Sequence, residues 1–257
     1  MAINIKDVSF NYGSPQIIKG INLYLKPGQL VSLVGPNGAG KTTLLKLICG
    51  TLKPTTGEIY IQDRPGETFT KKERASKVSL VPQNPKLPEE MKVSDFVMLG
   101  RNPHLGLLEW ESAKDFQVAG EAIQLTEIGH LLERKLGEIS GGERQRVMLA
   151  LAMTQGSPIM LLDEPTASLD ISHQMKVMKL IKKIHGQRRL NAVTVLAIHD
   201  LNIAAQFSDR VILFSEGNVA IDGTPKQVLT KDNIKEIYGS QVTVMSHPEH
   251  GSPLIIS

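Results

Sequence analysis

Gly35-Pro36-Asn37-Gly38-Ala39-Gly40-Lys41-Thr42 is the stretch of sequence that decides the fold. It satisfies the pattern G-x-x-x-x-G-K-[ST], and it lies between a short apolar run at residues 30–34 and a predicted helix. Glycines allow several backbone N–H groups to turn toward phosphate oxygens, and the helix adds the positive end of its dipole. The pattern therefore predicts a site for the phosphates of a nucleotide.

Two side chains of this loop are expected to carry its chemistry. Lys41 would supply a mobile cation for the outer phosphates of ATP, and the Thr42 hydroxyl would ligate a Mg²⁺ ion that bridges the β- and γ-phosphates. ATP and Mg²⁺ are thus the predicted cofactors. A plain glycine-rich turn is the competing interpretation. We expect ATP contacts from Gly35, Pro36, Asn37, Gly38, Ala39, Gly40, Lys41, Thr42 and Thr43.

A second pair of candidate residues stands at the end of the apolar run 159–162, where Asp163 and Glu164 follow one another. A carboxylate at the end of a buried strand is costly unless a cation or hydrogen bonds compensate it. We expect Asp163 to hold Mg²⁺, and Glu164 to act as the general base that polarises the attacking water. Two acids at this position can also be solvated loop residues, but their combination with the loop at Lys41 favours catalysis.

The remaining pattern predicts an α/β fold with a parallel sheet. Alternating apolar residues in the first 25 positions indicate an antiparallel β subdomain, and apolar runs recur after the glycine-rich loop with helical stretches between several of them. From about residue 86 to 155 the pattern is helical. We therefore predict one domain over residues 1–257, with a nucleotide-binding core at about 1–85 and 156–257 and an inserted helical subdomain at about 86–155.

Composition narrows the class of protein without assigning a function. The chain has 257 residues, of which 41% are hydrophobic and 21% charged, and its net charge is +3. No stretch approaches the roughly 20 apolar residues that span a bilayer. Charged residues precede any apolar segment at the amino terminus, so no secretory signal is predicted and the cytoplasm is expected. The single cysteine, Cys49, lies in an apolar helical run and receives no chemical role.

Ile139-Ser140-Gly141-Gly142-Glu143-Arg144-Gln145-Arg146 resembles the signature motif of the ATP-binding cassette family. The resemblance implies a P-loop NTPase core of the RecA-like type, and it implies that Ser140, Gly141, Gly142 and Glu143 contact ATP held by a second subunit. A head-to-tail dimer that encloses two ATP molecules is therefore expected. The motif departs from the common Leu-Ser-Gly-Gly-Gln in having Ile139 and Glu143, which puts the ribose or phosphate contact of Glu143 in question.

Other positions follow the order of the family. Gln83 resembles the glutamine that senses Mg²⁺ and the attacking water, and His199 resembles the histidine that contacts the γ-phosphate. Residues 168–170 resemble the loop that communicates across the dimer, here through Ser168 and Asp170. Tyr12 is the expected aromatic platform for adenine, with Phe10 as the alternative. Each residue alone has an ordinary structural explanation; their common order favours the functional one. The remaining histidines are taken as structural or surface residues, namely His104, His130, His173 and His185, and the 247–250 tail as solvated.

The segment Gly100-Arg101-Asn102-Pro103-His104 resembles Gly-Arg-x-Pro-His in ATPases that power importers of iron-siderophore complexes, haem or cobalamin. The resemblance implies an ATPase subunit of a metal-chelate importer, which works with a second copy of itself, integral membrane permease subunits and, indirectly, a substrate-binding protein. Such a subunit lies at the cytoplasmic face of the membrane as a peripheral protein. No nucleic acid partner is expected.

Two alternatives remain open at this level. The chain could be the ATPase subunit of an exporter, since its size does not separate the two directions of transport. It could also be a non-transport cassette ATPase that acts on nucleic acid or the ribosome. Such proteins typically carry a coiled coil, a zinc module or a second cassette, and here about one hundred residues without heptads or a cysteine cluster separate Lys41 from Ser140.

Overall fold

The structure, a computed structural model, describes residues 2–106, 108–167, 169–188 and 192–256. Its strands are β1 (Ile3–Asn11), β2 (Gln16–Leu25), β3 (Leu30–Val34), β4 (Thr56–Ile61), β5 (Arg64–Pro65), β6 (Val78–Val81), β7 (Ile159–Asp163), β8 (Val193–Ala197), β9 (Arg210–Ser215), β10 (Asn218–Gly223), β11 (Thr243–Ser246) and β12 (Pro253–Ile256). Its α-helices are α1 (Lys41–Cys49), α2 (Lys71–Lys77), α3 (Val93–Met98), α4 (Ala113–Thr126), α5 (Gly141–Thr154), α6 (Ile171–Arg188), α7 (Leu201–Phe207), α8 (Pro225–Val228) and α9 (Lys231–Tyr238).

The central sheet has six strands in the order β10-β9-β3-β8-β7-β6, and all neighbours are parallel except β10 and β9. Its inner strands are short apolar runs buried along their whole length, as expected for a parallel sheet covered on both faces. The carboxyl ends of parallel strands share one edge. Residues that follow β3, β6, β7 and β8 are therefore brought to the same side of the sheet.

Successive side chains of β3 point to opposite faces of the sheet, where they pack into two different hydrophobic cores. Val31 and Leu33 join a cluster formed with α1 and the amino-terminal strands, whereas Leu30 and Val34 join a cluster formed mainly by helices α3 to α7. The amino-terminal strands form an antiparallel sheet in the order β2-β1-β4-β5. The predicted α/β fold, with its parallel sheet and antiparallel β subdomain, is confirmed.

The segment between β6 and β7 is helical. It contains α3, a 3-10 helix at Leu99–His104, α4 and α5, which pack against one another through residues of the second core. The predicted insertion of a helical subdomain is confirmed. Within the described ranges, no helix is long and apolar enough to cross a bilayer.

Sequence reasoning did not predict the hairpin of β11 and β12 at the end of the chain. Its strands are short and only partly buried, so they lack a strong alternating pattern. The hairpin is joined to α7 by Asn202, whose Nδ2 donates to the carbonyl of Ile255 at 3.0 Å and whose Oδ1 accepts from the N–H of Ile255 at 2.7 Å.

Candidate active site

The glycine-rich loop leaves the sheet at Gly35 and enters α1 at Lys41. Gly35 has a φ of 149°, and a Cβ atom there would lie 2.2 Å from the carbonyl oxygen of Phe214 on β9, so the chain can turn only at a glycine. Gly40 caps the helix in the left-handed region with a φ of 105° and carries no side chain that could bond the first turn. The backbone N–H groups that begin α1 are thus available to an anion.

Lys41 is held inside this loop. Its side chain is buried, and its Nζ donates to the carbonyl oxygens of Gly35 at 2.7 Å and of Pro36 at 3.0 Å. Burial lowers the pKa of Lys41, and the nearby carboxylates of Glu164 and Asp163 work against that effect. The ammonium group therefore lies on the concave side of the loop, where it is bonded to neutral carbonyls. A phosphate would take their place and form stronger, charge-assisted hydrogen bonds with Lys41.

Thr42 and Asp163 face each other across the start of α1 and the end of β7. The Thr42 hydroxyl donates to Oδ1 of Asp163 at 2.9 Å, and Asp163 is only 5% exposed. Burial raises the pKa of Asp163, while the hydrogen bond from Thr42 and the charges of Lys46 and Lys41 lower it.

This pair is the donor set that Mg²⁺ uses beside nucleotide phosphates, namely one carboxylate and one hydroxyl. A buried carboxylate with few donors is also stabilised by a divalent cation. The described part of the chain contains no group of three or more His, Cys, Asp or Glu side chains that could hold a metal by themselves. A Mg²⁺ ion at Asp163 would therefore take its other ligands from phosphate and water, as nucleotide-bound Mg²⁺ does.

Glu164, Gln83 and His199 come together although they follow three different strands. Gln83 Nε2 donates to one oxygen of the Glu164 carboxylate, and His199 Nε2 contacts the other. Glu164 has a φ of 48°, an unfavourable conformation for a residue with a side chain, and its N–H is fixed to the carbonyl of Ala197 at 2.8 Å. The carboxylate is thus held between two orienting groups, an arrangement suited to a general base.

The signature residues begin helix α5, with Ser140 as its N-cap. The N–H and hydroxyl of Ser140 both donate to Oε2 of Glu143, at 2.8 and 2.7 Å, and the N–H of Glu143 donates back to the Ser140 hydroxyl at 3.3 Å. These bonds lower the pKa of Glu143. Glu143 is therefore the acidic partner of a capping box, and the S-x-x-E spacing could have revealed this role in the sequence.

Within one chain the signature does not join the phosphate loop. Ser140, Gly142 and Glu143 line a cavity of about 530 Å³, and all of its lining residues come from the 125–183 region. None of these lining residues belongs to the phosphate loop or to the cluster of Gln83, Glu164 and His199. The signature and the phosphate loop therefore lie in separate places on a single copy.

Of the two candidate adenine platforms, Tyr12 is 64% exposed and Phe10 is buried. The two rings meet edge to face with centroids 4.8 Å apart. The buried ring of Phe10 therefore packs against Tyr12, whose remaining surface is exposed and available to a base. Among the other predicted contacts, Asn37 and Gly38 are exposed at the tip of the loop, whereas Ala39 and Thr43 are buried. Ser168 lies outside the described residues.

The Gly-Arg-x-Pro-His segment has a structural function, which sequence analysis had allowed for His104 but not for Arg101. Arg101 donates to Oδ1 of Asp115 at 2.8 Å and to the carbonyl of Thr154 at 3.0 Å, and His104 bonds the carbonyl of Gln155 at 2.8 Å. Both charged side chains of the ion pair are buried. The segment thus joins the end of α5 to the start of α4, and its long-range partners could not be read from spacing.

Comparison with protein families gives one match, in which residues 18–167 fit the family described as ABC transporter. The hemin import ATP-binding protein HmuV of Pseudomonas aeruginosa is 36% identical over 260 residues, which cover 99% of this chain and 99% of that protein. The ferric enterobactin transport ATP-binding protein FepC of Escherichia coli is 32% identical over 251 residues, covering 98% and 92%.

Solved structures agree with this result. A metal-chelate type ABC transporter in an inward-facing conformation superposes with a TM-score of 0.83 at 26% identity, covering 99% of this chain and 96% of that chain. A dimeric ATP-binding cassette in a post-hydrolysis state, bound to ADP and phosphate, superposes with a TM-score of 0.75 at 30% identity, covering 86% and 98%.

Proposed function

This chain belongs to the ABC transporter family as an ATP-binding subunit that hydrolyses ATP, and from that membership we propose that it powers the import of a metal chelate. Hemin is the first candidate cargo, and a ferric siderophore or cobalamin are the others. The observation that supports this most is the match to a hemin import protein over 99% of both chains. The resemblance of residues 100–104 to Gly-Arg-x-Pro-His supports the same class of cargo.

In the proposed reaction, water attacks the γ-phosphorus of ATP and the bond to the bridging β–γ oxygen breaks, which leaves ADP and inorganic phosphate. Glu164 takes the proton of the attacking water, and Gln83 and His199 hold its carboxylate in place. Lys41 and the N–H groups that begin α1 bind the outer phosphates. A Mg²⁺ ion held by Thr42 and Asp163 would neutralise phosphate charge.

The proposed active unit is a head-to-tail dimer. Ser140, Gly141 and Gly142 of one copy would contact the ATP bound by the other, and Glu143 would stabilise their conformation through the capping box. The separation of the signature from the phosphate loop in one chain supports this pairing, as does the dimeric cassette that is 30% identical. ATP would bridge the two copies, and loss of the γ-phosphate would remove that bridge.

The remaining parts of the proposal concern partners and location. Permease subunits would bind the dimer at the cytoplasmic face of the membrane, with the chain as a peripheral protein, and a substrate-binding protein would deliver the chelate. The division into a core at about 1–85 and 156–257 and a helical subdomain at about 86–155 stays a prediction. So do Tyr12 as the adenine platform and Asp170 in communication across the dimer.

A growth experiment tests the cargo. A strain without the gene is supplied with hemin, a ferric siderophore or cobalamin as the only source of iron or of the cofactor, and it carries either the wild-type chain or Glu164→Gln. We expect growth on hemin to return with the wild type only. Growth restored only on a siderophore or only on cobalamin would assign that chelate, rather than hemin, as the cargo. Normal growth of the deletion strain on all three supplements would contradict chelate import.

A further inference from the structure

His173 lies in the first turn of α6, directly after the loop that contains Asp170. Its backbone N–H donates to Oδ1 of Asp170 at 2.8 Å, and its ring Nδ1 donates to Oδ2 of the same carboxylate at 2.8 Å. These two bonds lower the pKa of Asp170. Because the backbone N–H and the ring of His173 both bond to the carboxylate of Asp170, rotation of the ring is restricted.

The ring lies beside Gly142 of the signature. A Cβ atom at Gly142 would come within 3.2 Å of Cδ2 of His173, so the ring borders the space that a side chain at position 142 would occupy. His173 and Gly142 both line the 530 Å³ cavity beside α5 and α6, and the His173 side chain is 52% exposed. Because the ring is half exposed, the bonds to Asp170 contribute to its orientation beside Gly142.

We propose that His173 is a positioning residue that ties the loop at Asp170 to the signature at Gly142, so that both surfaces move as one unit toward the second subunit. The inference rests on the proposed dimer, in which the signature contacts the ATP of the partner copy and Asp170 takes part in communication across the dimer. His173 touches no substrate. Its function is to keep the beginning of α5 in register with the beginning of α6.

If Asp170 and His173 formed only an ordinary surface ion pair, their substitution would have a different result. Exposed pairs such as Asp170 and His173 contribute little to stability, so their loss would leave folding and activity nearly unchanged. A positioning function predicts instead that folding and ATP binding by the chain's own loop stay intact while association of two copies weakens. The two explanations therefore differ in a measurement of dimerisation.

The variants separate the two contacts of the side chain. His173→Asn keeps a donor near the position of Nδ1 but loses the ring beside Gly142. His173→Phe keeps a ring but loses the donor to Asp170, and His173→Ala loses both. His250→Asn, at an exposed histidine that does not line the cavity beside α5 and α6, is the matched control for a histidine substitution.

Each variant is made in the full chain together with Glu164→Gln, which is expected to bind ATP without hydrolysing it. ATP-dependent dimerisation is measured by sedimentation velocity, and ATP affinity is measured at protein concentrations where the chain is monomeric. We expect His173→Ala to raise the dimer dissociation constant about tenfold, roughly the effect of one lost hydrogen bond and one lost contact. His173→Asn and His173→Phe should each give part of that rise, with ATP affinity of the monomer unchanged.

A dimer constant for His173→Ala and His173→Asn within about twofold of the parent would overturn the inference. So would an equal loss of ATP affinity in the monomer, because that would place the effect in the chain's own site. If Glu164→Gln itself forms no ATP-dependent dimer, the proposed in-trans function fails and this inference fails with it. A normal parent dimer with silent His173 variants refutes the positioning function alone.

Discussion

Replacing Thr42 with Val tests the pairing of Thr42 with Asp163, on which the proposed Mg²⁺ site depends. The substitution exchanges a hydroxyl for a methyl group of similar size, and both residues are β-branched, so helix propensity at the start of α1 is nearly unchanged. What is lost is the bond of 2.9 Å to Oδ1 of Asp163. Because Asp163 is 5% exposed, water has little access to replace that donor.

A hydrogen bond to a charged group contributes about 1.5 to 3 kcal/mol, so we expect Thr42→Val to lower the free energy of unfolding by about that amount without nucleotide or metal. Thr42→Ser retains the hydroxyl and loses one methyl group, and it should cost less than about 1 kcal/mol. In an Asp163→Asn background the acceptor is neutral, and the effect of Thr42→Val should fall to about 0.5 to 1.5 kcal/mol.

The assay is urea unfolding in the presence of a chelator, followed by circular dichroism, with the four chains of the double-mutant cycle measured side by side. Thr42→Val should also raise the Mg²⁺ concentration needed for half-maximal ATP turnover, whereas Thr42→Ser should leave it nearly unchanged. The reasoning is refuted if Thr42→Val and Thr42→Ser unfold within about 0.5 kcal/mol of each other, or if the cycle shows no coupling between Thr42 and Asp163.

Three further predictions concern other parts of the molecule. Lys41→Ala should abolish ATP turnover because the outer phosphates lose their cation, and ordinary release of phosphate by this variant would contradict the site. Gly35→Ala should lower both ATP affinity and the urea midpoint, because its Cβ would lie 2.2 Å from the carbonyl of Phe214; a variant with normal values would show that the loop has another conformation. Hydrogen bonds from Ser112 hold the pKa of Asp115 well below its usual range, so its stabilising effect is complete above the ordinary carboxyl pKa of about 4 and is lost as pH falls through the depressed value. Asp115→Asn should therefore unfold more easily than wild type at pH 7, with a difference in urea midpoint that narrows in acid; a constant difference would contradict this.

Local patterns predicted the parts of the site that lie on one short segment. The glycine-rich loop is such a case, since strand, loop and helix are consecutive and the glycine at position 35 is required by its contact with β9. The convergence of Gln83, Glu164 and His199 followed from family order, and the structure explains it physically. Each residue follows a parallel strand of one sheet, and the carboxyl ends of β6, β7 and β8 meet at one edge.

Contacts between distant segments could not be predicted in this way. Arg101 was interpreted only as a sign of the cargo class, and His104 was taken as a structural or surface residue without a named partner. Both side chains bond backbone carbonyls at the end of α5, some fifty positions along the chain. His173 matched no motif because its position beside Gly142 depends on how α6 packs beside α5. Glu143 is different, since the capping-box spacing is present in the sequence, but sequence analysis considered Glu143 only as a departure from the common glutamine.

The central claim is that each active site is shared between two copies of the chain. Lys41→Ala removes the chain's own site but leaves its signature, and Ser140→Arg blocks the signature but leaves the chain's own site. ATP turnover is measured for each variant alone and for an equimolar mixture. We predict that neither variant turns over ATP alone and that the mixture recovers about a quarter of wild-type turnover, since random pairing makes about half of the dimers mixed and each mixed dimer has one complete site. Full activity of Ser140→Arg alone, or no recovery in the mixture, would contradict a shared site.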